Sequence, residues 1–517
     1  MAPTSRVGRV RVLHHCLSAP MQPREVPGAA KGPLGGLRFV AQANIDAAGV
    51  RTGNGSPAWA MSHQPSRRSA PCVGALLRAG ALLMGMAHMD ELGLSLAGMN
   101  AHYGALDNPA APGRAPGGAA SGPAVAVASG AAALALATDA RGSVRIPASH
   151  CGLYGLRTTH GRIPLDGVCP LAPSLDAFGL LAADADVALA GARALLHAPR
   201  ADAEPDEGGG EGAPREPPPP TRVVVLFADD AMRLFSSAEQ TDLEPGAAAE
   251  LDARFRESAM RAAAELGAHG GEGGEREAGE ASVRCIDVGA HLLDAVGAPL
   301  AAFVPPTPPA GNASPGCALP ADSPGLRAAG ALLESVWAEE VSEALSDWLH
   351  AYEEIAGCPP ALGEGTAELL ARAASAARLP DGGRGVRAAL SSALDTLLAS
   401  HEEPTADGAA VEGARVLALL CMPAAPSVAP AADGALERGE CGEEYVARGA
   451  ALSALASLAG CPQLVVPTGT ARLAGGASLP LAVSFVARRG RDEQLVCAAA
   501  RAARARARVE LGGAARA

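Results

Sequence analysis

The sequence predicts an α/β fold, and three observations predict it. Short apolar runs that end in turn residues alternate with longer stretches of helical periodicity, the pattern of strands laid beside helices. At 517 residues with 48% hydrophobic content, the chain has enough apolar surface to bury a large core. Only 3% of the residues are aromatic while 62 are glycine, so aliphatic side chains must fill that core between closely approaching backbones.

The elements follow in order. "GLRFVAQANID", from Gly36 to Asp46, reads as a strand and its turn, and Pro71 to Met86 as an amphipathic helix. A Gly-rich centre with a small-residue helix comes next, "PGGAASGPAVAVASG" from Pro116. "RVVVLFADD", Arg222 to Asp230, is a buried strand, Ala247 to Leu266 a helix, and "SVRCIDV" from Ser282 another strand. Long helical patterns run through His350 and from Thr366 to His401. "ARVLALLCMPAAPSVAP", "CPQLVVPTG" and "LPLAVSFVARRG" then supply three strand-like segments ending in turn signals. No internal repeat suggests a helical array. Residues 1–35 are expected to form a flexible N-terminus, 36–505 one domain, and 506–517 a tail. Stretches at about 201–221, 268–281 and 305–324 are rich in Pro, Gly or Glu and poor in apolar residues. They cannot offset their ordering entropy by burial and read as disordered surface insertions.

Charge and cysteine usage exclude several functions. A formal net charge of -13 argues against nucleic acid, whose phosphates need clustered Lys and Arg. Lys31 is the single lysine in the chain. The eleven cysteines form no C-x-x-C pair and no Cys/His set at zinc spacing, so no metal is expected and the thiols are read as free, in a reducing compartment. No cofactor is indicated. No apolar run reaches the roughly 18–20 residues of a membrane helix, since Arg78 interrupts Val73 to Met86. The first 24 residues carry Arg6, Arg9, Arg11 and Arg24 without an acid, a pattern shared by organelle leaders and disordered ends. A cytoplasmic location is the first expectation and a plastid the alternative.

The segment "PGGAASGPAVAV" followed by "TDARGSVRIPASHCGLYGLRTTHGRIP" resembles the amidase signature family, whose pattern is Gly-Gly-Ser-Ser and then Asp-x-Gly-Gly-Ser-[Ile/Val]-Arg-x-Pro-Ala. "MDELGLSLAGMNAHYGALDNP" and "CPQLVVPTG" place it near plant-type indole-acetamide amidases and the amidase-like domains of chloroplast import receptors. The resemblance implies an α/β/α sandwich around a large mixed sheet. It also implies a Lys, cis-Ser, Ser relay, in which a serine attacks an amide carbonyl, a bridging serine passes on its proton and a neutral lysine is the base.

Carried over residue by residue, the nucleophile position is Ser143. The bridging serine is replaced by Ala119, after a glycine pair whose second peptide bond is cis in the family, and the next serine by Ala120; Ser121 lies two residues away. Gln42 stands at the lysine position and Ala43 at the aspartate that follows it. A glutamine amide forms hydrogen bonds but accepts no proton at neutral pH. The oxyanion-hole segment is Ala140, Arg141 and Gly142, with Arg141 in place of a glycine, where its side chain is expected to obstruct the hole more than to assist it. Asp139 and Arg145 should pair or cap to hold the loop. Tyr103 and Asn108 are candidates for the pocket wall, and His160 reads as a turn residue. The resulting expectation is an amidase homologue that has lost catalysis and keeps a fold able to bind a small amide or related ligand, or a protein. The alternative is a weak or rewired hydrolase of small carboxamides such as indole-3-acetamide that uses Ser143.

Overall fold

Alternation along the central strands builds separate cores on the two faces of one sheet. The computed structural model describes residues 26–198, 220–237, 246–269, 283–305, 323–402, 415–432, 440–472 and 478–514. Ten strands are β1 (Arg38–Gln42), β2 (Leu82–Ala87), β3 (Leu134–Asp139), β4 (Tyr154–Arg157), β5 (Ala177–Ala182), β6 (Arg222–Ala228), β7 (Val283–Ile286), β8 (Val416–Pro423), β9 (Gln463–Arg472) and β10 (Ser478–Val486). They hydrogen-bond in the order β2-β1-β3-β5-β4-β9-β10-β8-β6-β7. Both ends of the sheet are parallel and its middle is antiparallel.

The helices that cover it are α1 (Pro71–Arg78), α2 (Ser121–Ala128), α3 (Arg145–Cys151), α4 (Ala185–Leu196), α5 (Ala247–His269), α6 (Val288–Val296), α7 (Pro324–Ala356), α8 (Glu364–Ser375), α9 (Arg384–Ala399), α10 (Glu440–Ala459) and α11 (Asp492–Ala514). On β6, Val223, Val225 and Phe227 face the core under α1, α4, α5 and α11, whereas Val224, Leu226 and Ala228 face the core under α6, α7, α9 and α10. On β3, Leu134 and Leu136 join the first of these cores, and Ala135 and Ala137 pack with α2 and α3. Period-two alternation buried on both sides is what an α/β/α sandwich requires of its strands.

Small residues set the layer spacing. Helix α2 is apolar around its whole circumference, and Ser121 through Val127 are all buried, so it is a core helix rather than an amphipathic cover. At Gly330 on α7, an added Cβ would lie 2.7 Å from the Ala451 nitrogen of α10; only glycine allows that approach.

Two elements differ from the sequence expectation. The Pro71–Met86 run is a helix only to Arg78; Gly80 turns the chain at φ 95° and Leu82 begins β2. The Thr366–His401 run is two helices, α8 and α9, separated by a turn at Pro380–Gly383. Helices α5 and α7 extend to His269 and Ala356, and α11 begins at Asp492 and runs across position 505. Val26, the first described residue, bridges Leu83. Residues 1–25, with the arginine-rich leader, and 201–219, 270–281 and 306–322 of the three insertions lie outside the described residues. Among the described residues, no helix is long and apolar enough to cross a membrane.

Candidate functional site

The site is assembled where β1 and β3 end side by side. Their parallel pairing runs as far as Ala41 and Leu136. Gln42, at the end of β1, continues it with its side chain: Oε1 accepts the Thr138 backbone N–H at 2.9 Å. Gln42 is buried and Thr138 half-buried at the cavity wall, so the bond satisfies a backbone donor that the strand pairing leaves over. A lysine at the same position has no acceptor to offer. Ala43, where the resemblance places an aspartate, is fully buried in the apolar core.

Beyond β3 the chain turns through Ala140–Val144 into α3, and Asp139 holds that turn. Its carboxylate accepts the N–H of Gly142 at 2.9 Å and of Val144 at 3.0 Å, together with Arg145 Nε at 3.0 Å and a second guanidinium nitrogen at 2.6 Å. Arg157 adds a further buried guanidinium against it. Burial alone would raise the pKa of Asp139, but Arg145 and Arg157 hold it well below the usual carboxylate range. Arg145 reaches on to Gln463 Oε1 at 2.6 Å and Ser457 Oγ at 2.9 Å, which ties the loop to β9 and α10. Asp139 and Arg145 therefore both pair and cap. Gly142 has φ 114°, and a Cβ there would meet Ser453 Oγ at 2.7 Å, so glycine is required at this turn.

Gln42, Ala119, Ala140 and Ser143, from three separate segments, line one cavity together with Asn44 and Asp176. The Gly118–Ala119 peptide bond is cis. Ala120 N–H donates to the Ser143 carbonyl at 3.2 Å, which draws the glycine-pair segment onto the Ser143 turn. The Ser143 side chain is buried, and among the described residues no hydrogen bond holds its hydroxyl. The clear space inside the cavity is that of about one water molecule. Lys31 is on an exposed stretch and lines no part of it.

Arg141 does not obstruct this space, contrary to the sequence expectation. Its guanidinium binds both Glu334 carboxylate oxygens, at 2.8 and 2.5 Å, donates to the Leu94 carbonyl at 2.7 Å and lies 3.5 Å over the Trp337 ring. The side chain is thus anchored to α7, and the charge is neutralised there rather than presented to Ser143. Tyr103 and Asn108 are likewise not part of the cavity wall. Asn108 is fully buried and donates to the His150 carbonyl at 2.8 Å, while Tyr103 is half-buried with its ring edge-on to His88 and His102. Ser121 is enclosed against His88 and Asp90, and His160 binds the Pro173 carbonyl in its turn.

Asn44 and Asp176 were not singled out from the sequence. Asp176 Oδ2 accepts the N–H groups of Leu171 and Ala172, both at 3.0 Å. Burial pushes its carboxyl up to about 6, against these bonds and the nearby Arg157. Its only sequence signal was an acid just ahead of the apolar run of β5, which is also how a turn residue looks. Among the described residues no group of His, Cys, Asp or Glu is arranged to hold a metal ion.

Residues 15–208 match the family described as Amidase. The chain is 46% identical to "Amidase 1" of Oryza sativa subsp. japonica over 158 residues, 31% of this chain and 36% of the relative. It is 37% identical to "Outer envelope protein 64, chloroplastic" of Arabidopsis thaliana over 212 residues, 41% of this chain and 33% of the relative. The matched stretch thus spans about a third of the length of these curated relatives. A solved "Crystal structure of amidase" superposes with a TM-score of 0.61 at 22% identity, covering 92% of this chain and 86% of that one, and so shares the fold.

Proposed function

The chain belongs to the amidase signature family through residues 15–208, and from that premise we propose that it is a non-catalytic homologue that keeps the fold as a binding scaffold. The carrying observation is Gln42, whose Oε1 is committed to the Thr138 N–H in the slot where the resemblance places the lysine base. A neutral amide takes no proton from a serine at neutral pH. Ala119 has no hydroxyl to carry that proton, so even a base placed at position 42 would have no bridge to Ser143. Disabling a coupled nucleophile and base costs about four to six orders of magnitude in rate. The water-sized cavity supports the same reading, because a carboxamide substrate would first have to displace its walls.

Two kinds of partner fit such a scaffold. A small polar ligand would use the cavity wall, and a protein would use the outer surface. The outer-envelope relative, named as chloroplastic, favours the plastid alternative for location. The competing reading, a slow hydrolase of small carboxamides such as indole-3-acetamide, is favoured by the presence of Ser143 in the cavity and by the rice relative named as an amidase.

The test is hydrolysis of a panel of small aryl, aliphatic and indolic carboxamides by the full chain, beside the Ser143→Ala variant. The proposal expects no release above the variant's level. Turnover lost in Ser143→Ala would establish the hydrolase instead.

A further inference from the structure

Position 42, where the resemblance places a lysine, holds a neutral glutamine, and the cavity wall presents hydrogen-bond acceptors. Asn44 is 6% exposed, its Nδ2 donates to Thr138 Oγ1 at 2.9 Å, and its Oδ1 is buried with no partner among the described residues. An acceptor buried in that way is costly unless something donates to it. Asp176 uses Oδ2 for two backbone N–H groups, and no protein donor among the described residues is bonded to its Oδ1. The Ser143 hydroxyl is likewise not held. Among the described residues, no Lys, Arg or His side chain lines the space.

A water molecule would bring two donors to this wall. An ammonium ion is of similar size, brings four N–H donors and no lone pair, and carries a positive charge directly to the buried carboxylate, which Arg157 reaches only from a distance. We propose that the cavity is an ammonium-binding site, in which Asn44 Oδ1, Asp176 Oδ1 and Ser143 Oγ accept N–H bonds from one ion. The inference rests on reading the cavity as non-catalytic and names the small polar ligand of that reading.

The experiment uses the full chain and ammonium chloride as the probe, with sodium, potassium and methylammonium chlorides at equal ionic strength. Thermal unfolding reads the linked stabilisation, and 15N-ammonium resonances in slow or intermediate exchange read binding directly. Ammonium should raise Tm in a saturable way. Sodium, and methylammonium with its added methyl group, should not. Asp176→Asn keeps an acceptor for Leu171 and Ala172 but removes the charge, and should weaken ammonium binding at least tenfold; Asn44→Ala should weaken it severalfold.

An equal response to potassium, which has the size but no N–H, would overturn the proposal. So would an ammonium response unchanged in folded Asp176→Asn, or no ammonium binding to folded wild type by either readout. Amide turnover on the same samples separates the two claims. Hydrolysis through Ser143 sinks the non-catalytic reading, whereas silent hydrolysis without ammonium binding sinks only this site.

Discussion

Two polar regions meet at the Ser143 turn, and they differ in kind: one is a network of paired charges in which Arg157 Nε alone has no hydrogen-bond partner among the described residues, the other a cavity wall of uncharged groups and one carboxyl. On one side, Asp139, Arg145 and Arg157 form a fully buried charged network, with Arg145 extended to Gln463 and Ser457. On the other, Gln42, Ala119 and Ser143 surround a water-sized space whose wall includes an amide oxygen with no partner among the described residues and a carboxyl raised by burial. The network shapes the loop and the cavity would have to perform the chemistry. Shape and chemistry are therefore held by separate residues, and one can persist while the other is replaced.

The strongest break in that comparison is Arg145→Met, which leaves Asp139 buried with much of its compensation removed. It should cost about 3–5 kcal/mol, measured by urea unfolding, whereas a loss below about 1 kcal/mol would mean that the network does not hold the loop. Arg141→Gly should follow at about 2–4 kcal/mol, because it empties the space over Trp337 and strands Glu334. Stability unchanged in that variant would show the α7 anchor to be idle.

Gln42→Lys should cost about 1 kcal/mol or more, since the half-buried Thr138 N–H loses its acceptor. Gln42→Glu restores an acceptor and separates that loss from loss of packing, so it should recover part of the stability at low pH, where its carboxyl is neutral.

Asp176→Asn should move the other way with pH. The folded carboxyl titrates at about 6, above its ordinary 3.8, so the folded state holds this proton more tightly. The associated stability is fully present below pH 3.8 and is lost as pH rises through 6. At 1.36 kcal/mol per pKa unit, the variant should therefore gain up to about 3 kcal/mol over wild type near pH 7.5 and nothing near pH 3.5. An offset independent of pH would contradict the titration. Ser143→Ala, which removes an unheld hydroxyl, should change stability by no more than about 0.5 kcal/mol.

Much of the fold was legible because β6, β8, β9 and β10 are apolar runs bounded by turn residues. The Pro71–Met86 expectation holds as helix only to Arg78, because the apolar run after Gly80 is too short to separate helix from strand by its period, and the strand Leu82–Ala87 depends on pairing with β1. At the site, the motif residues Gln42, Ala119 and Ser143 could be placed from their spacing in a known pattern. The Arg141 anchor could not: Glu334 lies 193 residues away, and nothing local distinguishes it from any other helix-surface acid. Asn44 lies two residues beyond Gln42, but its orphaned oxygen exists only once β3 lies beside it.

The central claim is that Ser143 has lost its proton relay while the framework around it persists. Covalent labelling by a fluorophosphonate tests it most directly, comparing wild type, Ser143→Ala and the double variant Gln42→Lys with Ala119→Ser. Wild type should label no faster than Ser143→Ala, and the double variant, returning base and bridge together, should label measurably if it folds, with each single change silent because the two act as one relay. Wild-type labelling that disappears in Ser143→Ala would contradict the claim.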